Sequence, residues 1–325
     1  WNGFFSLRRC RFEVLWTRRV WMTKLRFLVS LITKDNDYQM EQAAAAKSAA
    51  AELGVEAEIL YADNDPITQS TQILKAIQSE PALRPGGILV EPVGATSFPQ
   101  VARTAAAAGI GWAVLSREAD YAGELRKTAR CPVFSVSADQ VEVGRIQGRQ
   151  VAALLPRGGS VLLIQGPSVS SVSRERHAGL QESLAPSVHL TGLRGRWTEE
   201  SAHQSVCSWL RLIAAQRLPI DLIVAQNDAM GIGARKAIEE TIVNADRDHW
   251  LGIPITGCDG VPRTGQMWVR TGRLAATVVV PPSTGEALTL MTKALRSGIT
   301  VPGHFFTTST PLPAIEKLAP RGSAR

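Results

Sequence analysis

LRFLVSLITKDNDYQMEQAAAAKSAAAELGVEAEILYA, residues 25–62, decides the fold. LRFLVSLI is an apolar run bounded by polar residues and reads as a buried strand. YQMEQAAAAKSAAAELG is rich in alanine, lacks proline and ends in Gly54, an ordinary helix stop. VEAEILYA is the next strand. The unit repeats downstream. Asp65 caps a helix with Pro66 at its first position. GGILVEP is a third strand, FPQVARTAAAAG a helix and IGWAVLS a fourth strand. Strand–helix–strand repetition predicts a parallel sheet with right-handed crossovers.

Residues 118–132 are polar, contain Pro132 and interrupt the rhythm. After VFSVSADQ a second series begins with VEVGRIQGRQVAALL and runs to IPITGCDG. RLAATVVVPP then reads as a strand, TGEALTLMTKALRSG as a helix, and HFFTTST comes after it. The expected fold is α/β: two doubly wound parallel-sheet lobes with a hinge and a cleft between them. The expected lobes are residues 22–137 with 281–305, and 138–280 with 306–325. The chain has 325 residues, 45% of them hydrophobic, which allows a sizeable core. Few aromatics and many small residues suit helices packed on a parallel sheet.

The net charge is +7, and five Arg against one Glu in residues 1–21 carry +4 of it, leaving an ordinary +3. That distribution argues against a nucleic-acid partner. Residues 1–21 also differ in composition from the rest of the chain, and Met22 directly precedes the first strand. They are expected to be a poorly ordered extension upstream of the native start, with no signal-type apolar run. No apolar stretch is long enough to span a membrane. Cys10, Cys131, Cys207 and Cys258 form no CxxC pair, so no metal site or disulfide framework is expected, and no cofactor. GIGARK at 231–236 imitates part of a phosphate loop but lies within a predicted helix.

In open α/β sheets, ligands sit beyond the carboxyl ends of the strands. The polar residues there include TKDNDYQ after the first strand, Glu91, Ser116–Arg117, Arg174 and Arg176, Trp197, Asn227–Asp228 and Asp259. Amides, carboxylates and guanidiniums suit a polyol, because each hydroxyl both donates and accepts. An aromatic face covers the C–H side of a sugar ring.

IQG…SRERHAG, VAQNDAMGIGARKAI, ITGCDG and GRLAATV, in this order and spacing, resemble the type I periplasmic binding proteins, in particular their ribose-binding-like branch. The resemblance covers roughly residues 24–318 and is shared with the ligand-binding core of the lactose-repressor family. It implies ligand contacts from Asn36, Tyr38, Arg117, Arg176, Trp197, Asn227 and Asp259. Three positions depart from the pattern. Gln39 replaces the second ring-stacking aromatic, Ser116 the aspartate of an Asp-Arg pair, and Val280 a glutamine.

Local alternatives stand beside these roles. Arg176 pairs with Glu175 or a neighbouring helix if it is not a ligand group, and Asp259 is otherwise a turn residue. Asp228 is expected to cap the next helix, leaving Asn227 for the ligand. Trp197 and Tyr38 are alternatively half-buried surface aromatics, and Glu91-Pro92 an ordinary strand stop. The resemblance implies a non-enzymatic solute-binding protein that delivers a sugar or polyol to an ABC-type importer permease or receptor, in the periplasm. The alternative is a cytoplasmic ligand sensor with the same core and no DNA-binding head.

Overall fold

The computed structural model describes residues 24–94, 98–117, 119–213, 219–242 and 247–320. The extension expected over residues 1–21 lies outside the described residues.

The opening stretch forms β1 (Arg26–Leu31), α1 (Asp37–Leu53) and β2 (Glu56–Tyr61). Phe27, Val29 and Leu31 pack on one face of the sheet, and Leu28 on the other. Burial on both faces explains why this strand is nearly continuous in apolar residues. α1 stops where Gly54 adopts φ 62°, a left-handed turn that favours glycine. The series continues with α2 (Pro66–Ile77), β3 (Gly87–Val90), α3 (Pro99–Ala107), β4 (Gly111–Leu115), α4 (Asp120–Thr128) and β5 (Val133–Ala138). At the start of α2 the Asp65 carboxylate accepts from the amides of Ile67 and Thr68, both at 3.0 Å. The bond from the Thr68 hydroxyl, with these two, holds its pKa below the ordinary carboxylate value.

The second series comprises α5 (Gln140–Leu154), β6 (Gly159–Gln165), α6 (Ser171–Glu182), β7 (Val188–Arg194), α7 (Glu199–Ile213), β8 (Leu222–Ala225), α8 (Asp228–Thr241), α9 (Arg247–Leu251) and β9 (Ile255–Thr256). It ends with α10 (Gly265–Arg270) and β10 (Thr277–Val279). The chain then returns through α11 (Ser283–Ser297) and β11 (His304–Thr307) before β12 (Thr310–Leu312).

Two sheets result. One runs β11-β5-β4-β3-β1-β2 and the other β7-β6-β8-β9. Their pairs are parallel, as the βα repetition predicts. Leu288 and Met291 of α11 join Phe27, Leu89 and Phe134 in the core beneath the first sheet. Leu162, Ile223, Met230 and Ile255 belong to the core of the second. Full burial of such side chains stabilises by about 1.5–3 kcal/mol each. In both sheets the strand order reverses beside the first strand of the series, β1 or β6. Each reversal opens a crevice at the carboxyl ends of the strands.

Two details differ from expectation. The segment 118–132 is not a break: it contains α4, which buries only Ala122 and Leu125 and so lacks a strong apolar stripe. RLAATVVVPP yields only the three-residue β10, which pairs antiparallel with β12. Isolated parallel bridges, Thr256 with Ala276 and Asp259 with Val279, join this pair to the second lobe.

Candidate functional site

A cavity of about 200 Å³ lies between the lobes. It is smaller than the roughly 300–1,000 Å³ pockets of drug-sized ligands and suits one small molecule. Asn36, Tyr38, Arg117, Arg176, Trp197, Asn227 and Asp259 all line it. Ser116 and Gln39 line it as well, so two of the departures face the same space. Val280 instead is buried in a cluster with Ala138, Val143, Cys258 and Val278, against which Tyr38 packs.

Asn36 is held by its own helix. Its Oδ1 accepts from the amides of Tyr38 at 2.9 Å and Gln39 at 3.3 Å and caps α1. This leaves Nδ2 to donate across the cleft to the carbonyl of Trp197 at 3.3 Å. Asn227 divides its amide in the same way within the second lobe, which also carries Trp197. Its Oδ1 accepts from Met230 N at 2.9 Å, and its Nδ2 donates to the same Trp197 carbonyl at 3.0 Å.

The expectation that Asp228 is the cap of α8 is therefore corrected. Asn227 is the cap, and Asp228 is buried inside the lobe. Its carboxylate accepts from Gly260 N at 2.7 Å and from the Thr277 hydroxyl at 2.6 Å. A helix-start aspartate whose donors come from a loop and a strand further along the chain becomes a brace for that loop. The loop is the one that carries Asp259.

Arg176 is positioned by helix packing. A Cβ on Gly144 would lie 2.1 Å from the Arg176 carbonyl, and one on Gly179 would lie 1.9 Å from the Val141 carbonyl. Only glycine at both places lets α5 and α6 touch backbone to backbone. The contact brings Arg176 Nε to 2.8 Å from Gln140 Oε1. Nη1 donates to the Gln226 carbonyl and lies 3.6 Å from Asp259 Oδ1. The guanidinium also stands 5.9 Å from the centre of the Trp197 ring, within cation–π range. Arg174, two residues earlier, is exposed and donates to the Ser168 carbonyl at 3.1 Å. Two residues along a helix turn a side chain to the opposite face, so only one of the two arginines enters the cleft.

Trp197 lies flat on Gly166, where a Cβ would come within 2.2 Å of the indole. Ser116, Trp197 and Asp259 have φ of 64°, 66° and 104°, values that non-glycine residues rarely adopt. All three line the cavity, so backbone strain of about 1–3 kcal/mol per residue is concentrated there.

Burial pushes the Asp259 carboxyl up to about 7, against the attraction of Arg176. Burial likewise raises Asp228 well above the usual range, with Asp259 adding to it. Burial also raises Glu91, while Arg117 and the side chains of Gln39 and Ser116 oppose it. Burial opposes the charge on Arg176, yet its acidic neighbours outweigh that and hold its pKa above the ordinary guanidinium value. The Tyr38 phenol donates to the Pro281 carbonyl at 3.2 Å, and burial raises its pKa too.

Sequence reasoning missed Gln140, which holds Arg176, and Arg196 and Asn64, which line the cavity. Gln140 follows the Asp139 cap at the end of a strand, the signal that singled out the others. Among the described residues no cluster of metal-ligating side chains occurs, and no helix is long and apolar enough to cross a membrane.

Residues 27–299 match the profile of the family described as periplasmic binding protein domain. The chain is 31% identical over 207 residues to a xylitol-binding protein of Mycolicibacterium smegmatis, covering 62% of this chain and about half, 52%, of that relative. It is 24% identical over 261 residues to the ribose import binding protein RbsB of Salmonella typhimurium, covering 80% of this chain and 81% of the relative. Among solved structures, an ABC transporter periplasmic solute binding protein from Actinobacillus succinogenes with bound D-allose superposes with a TM-score of 0.77 at 19% identity, covering 90% of this chain and 99% of the other. A galactofuranose binding protein superposes with a TM-score of 0.75 at 23% identity, covering 90% and 98%. At such identities the superpositions establish the two-lobed fold.

Proposed function

The chain belongs to the periplasmic binding protein family, and from that premise we propose that it is a solute-binding protein whose lobes close on a sugar or related polyol. One observation carries the reading: a small cavity receives amide, carboxylate and guanidinium groups from both lobes, beside an indole. Each amide of Asn36 and Asn227 uses one N–H on the Trp197 carbonyl and keeps a second for a ligand oxygen. Arg176 directs Nε and Nη1 into the protein, which leaves Nη2 for the ligand. Asp259 accepts from ligand hydroxyls, and Arg117 donates to them. Trp197 and Tyr38 cover apolar faces.

A ligand touched by both lobes binds the closed form more tightly than the open one, and this difference in affinity drives closure. The hinge lies near residues 137, 281 and 306. The closed form is presented to an ABC-type importer or receptor in the periplasm, and the role is binding without turnover.

Thermal unfolding with pentoses, hexoses, inositols and sugar acids tests this. A ligand at a hundred times its Kd adds about 2.7 kcal/mol of stability. At least one sugar or polyol should raise the melting temperature of the wild type, and Arg176→Ala should abolish the shift. A flat response across the panel would remove the sugar assignment.

A further inference from the structure

Of the chain's crossings between the lobes, the one at Pro281 is built differently from the others. The crossings near 137 and 306 lie side by side in the parallel β5–β11 pair, where Phe306 faces Ser137. The crossing at Pro281 leaves β10 at Val279 and enters α11 at Ser283 through Pro281-Pro282. Two prolines fix φ and stiffen this span. Each of its ends is tied to one lobe. Val280 N–H donates to the Asp259 carbonyl of the second lobe at 3.0 Å. At the other end Gln42 of α1, fully buried, accepts from Thr284 N at 3.0 Å and donates to Ser283 Oγ at 3.1 Å. Tyr38 lies one turn before Gln42 on the same face of α1. Its phenol donates to the Pro281 carbonyl at 3.2 Å, in the middle of the span. Its ring packs against a cluster that includes Val143, Cys258, Val278 and Val280 of the second lobe.

Covering the face of a ligand does not account for this placement. A phenylalanine covers a face equally well, and a phenol whose proton goes to the main chain has none for a ligand. We infer that Tyr38 is a positioning residue that sets the closed angle of the lobes, with its ring seated in the second lobe and its phenol pinned to the Pro281 crossing. The inference rests on the reading above that the lobes close about these crossings, and it holds for any class of ligand. Tyr38 stands on a first-lobe helix and its seat belongs to the second lobe. Opening the cleft withdraws the ring and returns apolar surface of both lobes to water. Part of the driving force for closure therefore comes from the protein itself. Val280 completes the seat. A glutamine there, as the resemblance implies, would set a polar amide among the apolar side chains of the cluster, at a cost unless it found a partner. The valine thus belongs with the ring that it supports.

The test uses the full chain, with xylitol, D-ribose, D-allose and myo-inositol as probes for calorimetric titration. Tyr38→Phe keeps the ring and removes the pin. It should weaken the tightest probe about three- to tenfold, the loss of one hydrogen bond. Val280→Ala trims the seat without touching the cavity and should weaken the same probe. In a Tyr38→Ala background, where the ring is gone, Val280→Ala should cost no further affinity. A role confined to stabilising the fold moves the melting temperature and leaves these affinities alone. An affinity of Tyr38→Phe within about twofold of wild type overturns the inference and leaves the polyol reading standing. A Val280→Ala effect as large without the ring as with it also overturns it. If Val280→Ala does not fold, Tyr38→Phe decides alone. If no probe binds the wild type, the polyol reading falls, and small-angle scattering without sugar decides the inference separately. Tyr38→Ala should then show a larger radius of gyration than the wild type, and an equal one overturns the inference.

Discussion

Asn36 and Asn227, on opposite lobes, donate to one acceptor, the Trp197 carbonyl, at 3.3 and 3.0 Å. Each is also the cap of the helix it precedes. The cap locks the amide's oxygen inward and aims its nitrogen at the cleft, so a local helix-start rule positions a group of the candidate site.

The two roles of Asn36 separate by mutation. Asn36→Asp keeps the capping oxygen and removes the donor to Trp197. Its melting temperature should stay near wild type, while polyol affinity falls about tenfold, roughly one lost hydrogen bond. Asn36→Ala should lose the affinity and, in addition, about 1 kcal/mol of stability through the cap. Unchanged affinity in the aspartate variant would remove Asn36 from the site.

The α5–α6 contact is sterically closed. Gly144→Ala places a methyl 2.1 Å from the Arg176 carbonyl. Overpacking of this kind costs about 1–3 kcal/mol, and α6 must shift, carrying Arg176 away from Gln140. Denaturant unfolding and ligand titration should both show losses. Gly123→Ala is the control: it sits exposed in α4 with nothing within 4 Å of the added Cβ, and should stabilise by about 0.5–1 kcal/mol.

Asp228 braces the loop of Asp259 through Gly260 and Thr277. Asp228→Ala leaves two buried donors unpaired and should destabilise by about 2–6 kcal/mol. A double-mutant cycle with Thr277→Val should show coupling between the two sites. Independent, additive effects would mean that the loop is held by something else.

Asp259 makes the protein sensitive to pH. Its folded pKa of about 7 lies above the value of about 3.9 in an unfolded chain. The folded state therefore holds more protons between these values, and stability falls as pH rises through that window, levelling off above 7. Asp259→Asn should flatten this decline in urea titrations across pH 4–8. Polyol affinity should move the other way and rise between pH 6 and 8, because the ionised carboxylate is the better acceptor. A wild-type pH profile matching that of the asparagine variant would contradict the raised pKa.

The repetition of βα units was legible because each strand and helix carries its own periodicity and stops, as at Gly54 and Asp65. The candidate positions Asn36, Arg117, Arg176, Asn227 and Asp259 were legible for the same reason, since strand ends in such sheets face one crevice. α4 escaped notice because its surface is polar, and the antiparallel pairing of β10 because β12 is three residues long.

The sequence by itself determined the class of fold and which side chains gather at the cleft, because hydrophobic period and helix signals act over a few neighbouring residues. Only the tertiary structure decided what those side chains do. Asn227 rather than Asp228 became the cap because Thr277 and Gly260 claim the aspartate. Hydrogen bonds are directional and act over about 3 Å. Partners dozens of residues apart in sequence are chosen only when the packed chain brings them within that distance.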